Sequence, residues 1–424
     1  MGKLFGTDGV RGVAGEDLSC ELAMKIGRGA AAVLTQNTGR KPRILIGKDT
    51  RISGDMLECA LAAGLCSVGA DVELLGVIPT PAVAYLVGKY GADAGVVISA
   101  SHNPMEFNGI KIFSGDGYKL PDQVENEIED YVLGKSEVTL CTGAAVGRVT
   151  RRDNAVDDYA DYLVEHIGAD LTGLNIAVDC ANGASAEVAP KLFPRLGANC
   201  TFLGAEPDGC NINDGCGSTH LDKLAKFVKE GGFDCGIAFD GDADRCLACD
   251  EKGAEIDGDK IIALLACDMK KRGRLDGDTA VGDRYVLEEM REKGYAIGGE
   301  QSGHVILLHH STTGDGELTA GKLLKLLAAS KCPMSQLNNV YEKFPQVMLN
   351  LVANAAQKAA YKEDEYIAGF IESQQQNLMG MGRVLVRVSG TEPKIRVMVE
   401  GKDEAAIEAS AQRIADMITK RVLG

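Results

Sequence analysis

Three aspartates, Asp240, Asp242 and Asp244, alternate with small residues in DGDADR, directly after the apolar run CGIAF. Side chains at that spacing converge on one point only if the backbone turns, and Gly241 and Ala243 permit a turn. Packed carboxylates repel one another unless a cation neutralises them. Hard oxygen ligands favour Mg²⁺, with Mn²⁺ as a substitute. A solvated acidic turn is the competing reading. The buried strand leading into these residues favours the metal.

A second polar loop, SASHNP, follows the apolar run AGVVI. Its Ser101 is a poor nucleophile unless a base or a metal activates it. His102 is adjacent, but neighbours on a loop often point apart. A turn capped by Ser and Asn before Pro104 would use the same residues. Set against a three-Asp site, the serine reads better as a phosphate carrier, its phosphoryl oxygen a further metal ligand. In RVSGTEPKIR, Arg387 and Arg396 can grip phosphate oxygens bidentately, while Ser389, Gly390 and Thr391 offer hydroxyls and approachable N–H groups. A hairpin turn with exposed arginines is the alternative there. In GEQSGH, Glu300 and Ser302 could bind vicinal sugar hydroxyls and His304 could move a proton.

These loops need strands to hold them, and the chain supplies them in repeats. RILIGKDTR opens one run of strand, helix, strand, helix, strand that ends in ADAGVVISAS; NIAVDCANG opens another that ends in FDCGIAFDGD. That alternation predicts mostly parallel sheets with helices packed on them. Asp93-x-Gly95 aligns with Asp234-x-Gly236, which sets Ser101 opposite Asp242. Both loops leave the carboxyl ends of strands, where open α/β sheets hold ligands. A third copy, from Ala280 to Ser302, is too short and lacks at least one strand–helix pair. After it, alternating strands around RVSGTEP and the amphipathic AAIEASAQRIADMITKRV predict a small α+β domain.

The bulk numbers bound the function. The 424 residues suggest several domains. A net charge of −16 argues against nucleic acid or anionic membranes as partners, so an anionic substrate would need a locally positive site. No apolar run is long enough to span a membrane, and the first residues lack a signal-peptide pattern. A cytoplasmic protein is expected, its 13 cysteines reduced. Cys246-x-x-Cys249 lies in an apparent strand, with no second pair at zinc spacing.

In order, FGTDGVRG (5–12), SASHNP (99–104), DGDADR (240–245), GEQSGH (299–304) and RVSGTEP (387–393) resemble the α-D-phosphohexomutase superfamily across nearly the whole chain. TDGVRG and Gln301 resemble its glucosamine-phosphate branch; phosphomannomutase/phosphoglucomutase relatives usually carry Met at the latter position. The resemblance implies three similar mixed α/β sheet domains, the third shortened, plus a C-terminal α+β domain around a central cleft. The expected bounds are 1–152, 153–252, 253–340 and 341–424. It implies interconversion of glucosamine 6-phosphate and glucosamine 1-phosphate on the way to UDP-N-acetylglucosamine. A monomer or homodimer is expected. It makes Ser101 the phosphorylated serine, with Asp240, Asp242 and Asp244 holding Mg²⁺ beside it. It assigns proton transfer to Lys111 and His304 and places Arg11 and Arg245 near the reacting phosphate. Glu300 and Ser302 fall on the sugar loop, and Arg387, Ser389, Gly390, Thr391 and Arg396 on the distal phosphate site. The sequence departs from the family in its third copy, where GRLDGDTAVGDRYV joins two segments almost directly. That loss is expected to expose apolar surface and to threaten the position of the Glu300 loop. A phosphomannomutase/phosphoglucomutase and a catalytically impaired sugar-phosphate binder are the rival readings.

Overall fold

The computed structural model describes residues 4–6, 8–34, 40–273, 280–281, 283–378, 380–389 and 393–424, with backbone only at 280–281 and 283–285. The chain divides into two compact units, Met1–Val340 and Tyr341–Gly424.

The first unit holds three sheets. The first is built from β1 (Val10–Val13), β2 (Arg43–Lys48), β3 (Asp71–Val77), β4 (Ala94–Ile98), β5 (Phe107–Ser114) and β6 (Val149–Arg151), in the order β1-β5-β4-β2-β3-β6. β2, β3, β4 and β6 run parallel; β5 alone reverses, lying antiparallel to both β4 and β1, so β1 again runs with the others. β4 is buried along its whole length, as a parallel strand covered on both faces must be. The second sheet repeats the plan with β7 (Asn175–Asp179), β8 (Asn199–Leu203), β9 (Cys235–Phe239), β10 (Cys246–Asp250) and β11 (Glu255–Ile256), ordered β11-β10-β9-β7-β8. Cys246 and Cys249 are three apart on β10, so they point to opposite faces; both are buried free thiols in the core. The C-x-x-C is therefore packing.

The third sheet has β12 (Ala280–Val281), β13 (Ile297–Gly299) and β14 (Val305–Leu307), in that order. β12 runs parallel to β13 and β14 antiparallel to it, matching β2-β4-β5 and β7-β9-β10. Among the described residues, what this sheet lacks is the strand outside β12 that would match β3 and β8. The shortening thus falls on the edge away from the β13–β14 loop. That loop stays docked on its neighbour: Cys246 N donates to Gly303 O at 3.0 Å, and Gly258 N to Gln301 O at 3.0 Å. These bonds tie the Glu300 loop to the second sheet and to helix Gly258–Lys271. The three-stranded sheet keeps a covered face, where Val286 and Met290 of helix Asp283–Lys293 pack on Ile306.

One further element of this unit bears on stability. Glu317 starts helix Gly316–Ser330 fully buried, and neither carboxylate oxygen has a hydrogen-bond partner. Burial, reinforced by Asp315, holds its carboxyl well above the ordinary 4.5. Burial likewise pushes Asp315 up to about 6, against hydrogen bonds from the Leu318 N–H and the Tyr159 hydroxyl. An acid whose pKa rises on folding contributes stability below its unfolded value and loses it as pH climbs toward the folded one. This pair therefore destabilises the fold progressively above about pH 4 to 5. Glu317→Gln should remove its share, so the Tm advantage of the variant over the parent widens between pH 5 and pH 8. A gap independent of pH would show that Glu317 does not change its protonation on unfolding.

The second unit is an antiparallel sheet of β15 (Gln346–Val352), β16 (Gly382–Val388) and β17 (Lys394–Gly401), ordered β15-β17-β16. Helix Glu404–Ile418, capped by Asp403, buries Ile407, Ala411 and Ile414. These join Ile395, Val397 and Val399 in one core.

Candidate active site

Three loops of the first unit leave equivalent places, each joining a buried strand to its antiparallel neighbour: β4–β5 with Ser101, β9–β10 with the aspartates, and β13–β14 with Glu300 to His304. Each is closed by a tight backbone turn, from Asn103 N to Ala100 O, Ala243 N to Asp240 O, and Gly303 N to Glu300 O. Each also passes through the left-handed region, at Ser101 (φ 53°), Ala243 (φ 53°) and Gly303 (φ 93°). For the two residues other than glycine this costs on the order of 1–3 kcal/mol, which surrounding contacts must offset. At Gly241 the approach is closer still: a Cβ there would lie 2.6 Å from Ser101 O. Only glycine lets the serine and aspartate loops meet.

The aspartates are buried, at 1%, 0% and 4% exposure for Asp240, Asp242 and Asp244. Their ligand oxygens all lie within 4.8 Å of one another. Ser101 Oγ donates to Asp240 Oδ2 at 2.5 Å, and Arg245 N donates to its Oδ1 at 3.2 Å. Asp242 Oδ2 accepts from Lys111 Nζ at 2.8 Å and from Thr80 Oγ1 at 2.6 Å. Asp244 Oδ2 faces Lys111 Nζ at 3.6 Å and His304 Nδ1 at 3.5 Å. The other oxygens, Asp242 Oδ1 and Asp244 Oδ1, are buried without any hydrogen-bond partner. Orphaned carboxylate oxygens are costly in a core. Two of them beside a third carboxylate make a donor set that fits a hard divalent cation.

Without such an ion the electrostatics are polarised. Burial, then the neighbouring Asp244 and Asp242, push Asp240 up to about 8. Asp244 goes the other way: burial would raise it, but Lys111 and His304 hold it far below the usual carboxylate range. Burial would lower Lys111, yet Asp242, Asp8 and Asp244 keep it firmly charged.

His102 does not activate the serine. Its Nδ1 is 3.4 Å from Ser101 Oγ but 3.1 Å from Arg245 Nη1, which can only donate, so the nitrogen accepts from arginine. Burial, with Arg245 and Arg11 nearby, lowers its pKa to about 4 and keeps the ring neutral. His304 is also engaged at both nitrogens: Nε2 accepts from Gly314 N at 3.1 Å, leaving the proton on Nδ1, toward Asp244. On the same loop Ser302 Oγ donates to Glu300 Oε2 at 3.3 Å, and Gln301 Nε2 to Asp257 Oδ2 at 3.1 Å. Asp257 caps helix Gly258–Lys271, so Gln301 anchors the loop to that helix.

Ser101, Lys111, His304, Arg11, Arg245, the three aspartates, Glu300 and Ser302 therefore lie on one loop cluster or border it. In the second unit Arg387 and Arg396 stand directly opposite each other on β16 and β17, both exposed. Like charges so placed repel, which suits a site for an anion. Ser389 follows β16, its carbonyl accepting from Lys358 Nζ at 2.8 Å. Gly390 and Thr391 lie outside the described residues.

Several participants escaped sequence reasoning. Asp8 pairs with Lys111 at 3.0 Å, Lys119 at 2.7 Å and Arg11. It stands within TDGVRG, three residues before Arg11. Thr80, Asp49, Arg51 and Asn213 lack any such signal, because most of their partners are distant in sequence.

Residues 2–139, 157–253 and 270–344 match, in turn, the alpha/beta/alpha domains I, II and III of phosphoglucomutase/phosphomannomutase, and residues 348–417 match its C-terminal domain. The chain belongs to the phosphoglucomutase/phosphomannomutase family. Within this family, the phosphoglucosamine mutase of Acetivibrio thermocellus is 50% identical, over all of both chains. That alignment runs over 448 positions against 424 residues here, so about two dozen positions of the relative have no counterpart. A family protein from Burkholderia thailandensis has the same fold, with a TM-score of 0.79 at 24% identity, covering 98% of this chain and 97% of its own. So does the N-acetylphosphoglucosamine mutase of Aspergillus fumigatus, solved with GlcNAc-6P and magnesium (TM-score 0.67, 15% identity, 99% and 96% covered).

Proposed function

We propose that this chain interconverts glucosamine 6-phosphate and glucosamine 1-phosphate, through a phosphoserine at Ser101 and a bisphosphate intermediate, on the way to UDP-N-acetylglucosamine. The observation that carries the reading is the Ser101 hydroxyl, 2.5 Å from a carboxylate of a buried aspartate trio that retains orphaned oxygens. The amino-sugar assignment rests on full-length relatives at about half identity.

The phosphorus–Oγ bond of phosphorylated Ser101 breaks as phosphorus bonds to the free hydroxyl of the bound sugar phosphate, which gives up its proton. The bisphosphate turns round, and its other phosphoryl group returns to Oγ. Such transfers need alignment and charge neutralisation more than covalent help. Mg²⁺ on Asp240, Asp242 and Asp244 supplies positive charge against the phosphoryl oxygens when bound. Lys111, kept charged by its three carboxylates, supplies more, and Arg245 and Arg11 border the same loop. Lys111 and His304 are the groups placed for proton transfer; His304 serves only after releasing the Gly314 N–H. Glu300 and Ser302 bind sugar hydroxyls. Arg387, Ser389, Gly390, Thr391 and Arg396 hold the phosphate that is not reacting. The site lies in a cytosolic protein of reduced thiols.

Peptide mapping by mass spectrometry of freshly purified protein should find one phosphate, on Ser101. A coupled assay should show turnover, with kcat/KM highest on glucosamine phosphates over glucose and mannose phosphates. Preference for either of the latter would make the chain a phosphoglucomutase or phosphomannomutase. Sugar-phosphate binding without turnover would make it an impaired binder.

A further inference from the structure

The phosphoserine reading leaves open what holds Ser101 in its left-handed conformation. The answer lies beneath the loop. Arg51 is 2% exposed and sits just after β2, in GKDTR. Its guanidinium reaches three backbone carbonyls of the serine loop: Nη2 donates to Ser101 O at 3.0 Å and to Asn103 O at 2.8 Å, and Nη1 donates to Pro104 O. The fourth direction is taken by Asp49, 1% exposed, whose Oδ2 accepts from Arg51 Nε at 2.9 Å. The same Oδ2 accepts from Ser99 Oγ at 2.6 Å, and Ser99 Oγ in turn accepts from Ser101 N at 2.9 Å. Both ends of the Ser101 peptide unit are thus tied to one buried ion pair. From the second sheet's side, Asn213 Nδ2 donates to Ser101 O at 2.9 Å and to Asn103 O at 3.1 Å.

A guanidinium is a planar fork whose donors cannot rotate independently. Three carbonyls held by one fork fix their relative positions, and with them the direction of the serine Cα–Cβ bond. Burial of a charged pair for mere stability is a poor arrangement, since apolar residues of like volume do as well or better. A buried pair whose donors all end on one strained loop is explained by geometry.

We propose that Arg51, aligned by Asp49 and assisted by Asn213, is the positioning residue that aims the Ser101 hydroxyl for in-line phosphoryl transfer. The inference rests on the phosphoserine reading and adds to it residues that hold the backbone of the serine loop. Misalignment of about 1 Å at a reacting atom costs about 10²-fold in rate.

The test uses Arg51→Lys, which keeps the charge but loses the fork, and Asn213→Gly. Asn213 itself has a positive φ of 59°, so glycine there removes the donor without backbone strain. Wild-type protein is assayed first; absence of both turnover and Ser101 phosphate would overturn the phosphoserine reading, independently of Arg51. With an active parent, Arg51→Lys should lose about 30- to 300-fold in kcat with KM within twofold, and amides of residues 99–103 should exchange faster. Asn213→Gly should lose about 3- to 10-fold in kcat, a smaller share because only one donor is removed. The double variant should fall short of the product of the two losses, because both donors serve Ser101 O. An unchanged kcat in both variants, or losses carried wholly by KM, would overturn the proposal. If Arg51→Lys fails to fold, Asn213→Gly decides alone, by the same split between kcat and KM and by the exchange of 99–103.

Discussion

Ser101→Ala is expected to lower turnover by about four orders of magnitude or more while the protein still binds sugar phosphate. The loss is that large because the reading routes both half-reactions through one oxygen. The side chain donates only to Asp240 Oδ2, so its removal leaves the other contacts of the loop in place. Folding should survive: the residue is small, and its carbonyl and N–H remain held by Arg51, Asn213 and Ser99 Oγ. Calorimetric titration with glucosamine 6-phosphate would measure the retained binding beside a coupled rate assay. Substantial turnover in the variant would remove the phosphoserine from the mechanism.

Lys111→Met should be the most damaging change to the charge balance. Lys111 Nζ faces Asp242 at 2.8 Å, Asp8 at 3.0 Å and Asp244 at 3.6 Å, and its side chain is almost wholly buried. Removing this ammonium takes away the ion-pair partner of Asp242 and leaves Asp244 with His304 and Arg245, while Asp8 keeps Lys119 and Arg11. Breaking a buried pair in this way costs about 3–5 kcal/mol, which predicts a Tm lower by about 5–10 °C in a unit of this size. Turnover should fall by about 10²–10³-fold through loss of positive charge at the reacting centre. Added Mg²⁺ should raise the Tm of this variant more than that of the parent, because the cation then takes over part of the neutralisation. A variant as stable as the parent would show that the carboxylates around Lys111 are not ionised together.

The chemistry of this fold was legible wherever it hangs on the end of a strand. AGVVI before Ser101 and CGIAF before Asp240 mark buried strands by composition, and the polar residue that follows must emerge at the sheet's carboxyl end. The repeat then placed the two loops opposite each other, and Gly241 lets them touch. The short third copy was legible from spacing alone. Which strand it lacks was not, because that depends on pairing order, and only the order β12-β13-β14 shows that the loss lies beyond β12. Supporting residues were the least visible. Thr80, the first residue of helix Thr80–Tyr90, clamps Asp242 with both its hydroxyl and its N–H, across 162 positions of chain. Arg51 reads as an ordinary charged residue after a strand, since carbonyl acceptors leave no mark in a sequence. His102, adjacent to Ser101 in sequence, is held by Arg245, in keeping with the expectation that loop neighbours often point apart.

Among the described residues the third sheet ends in β12, where its siblings carry one strand more. An open sheet margin invites recruitment of a foreign strand, so self-association of the trimmed protein at high concentration would begin at this margin.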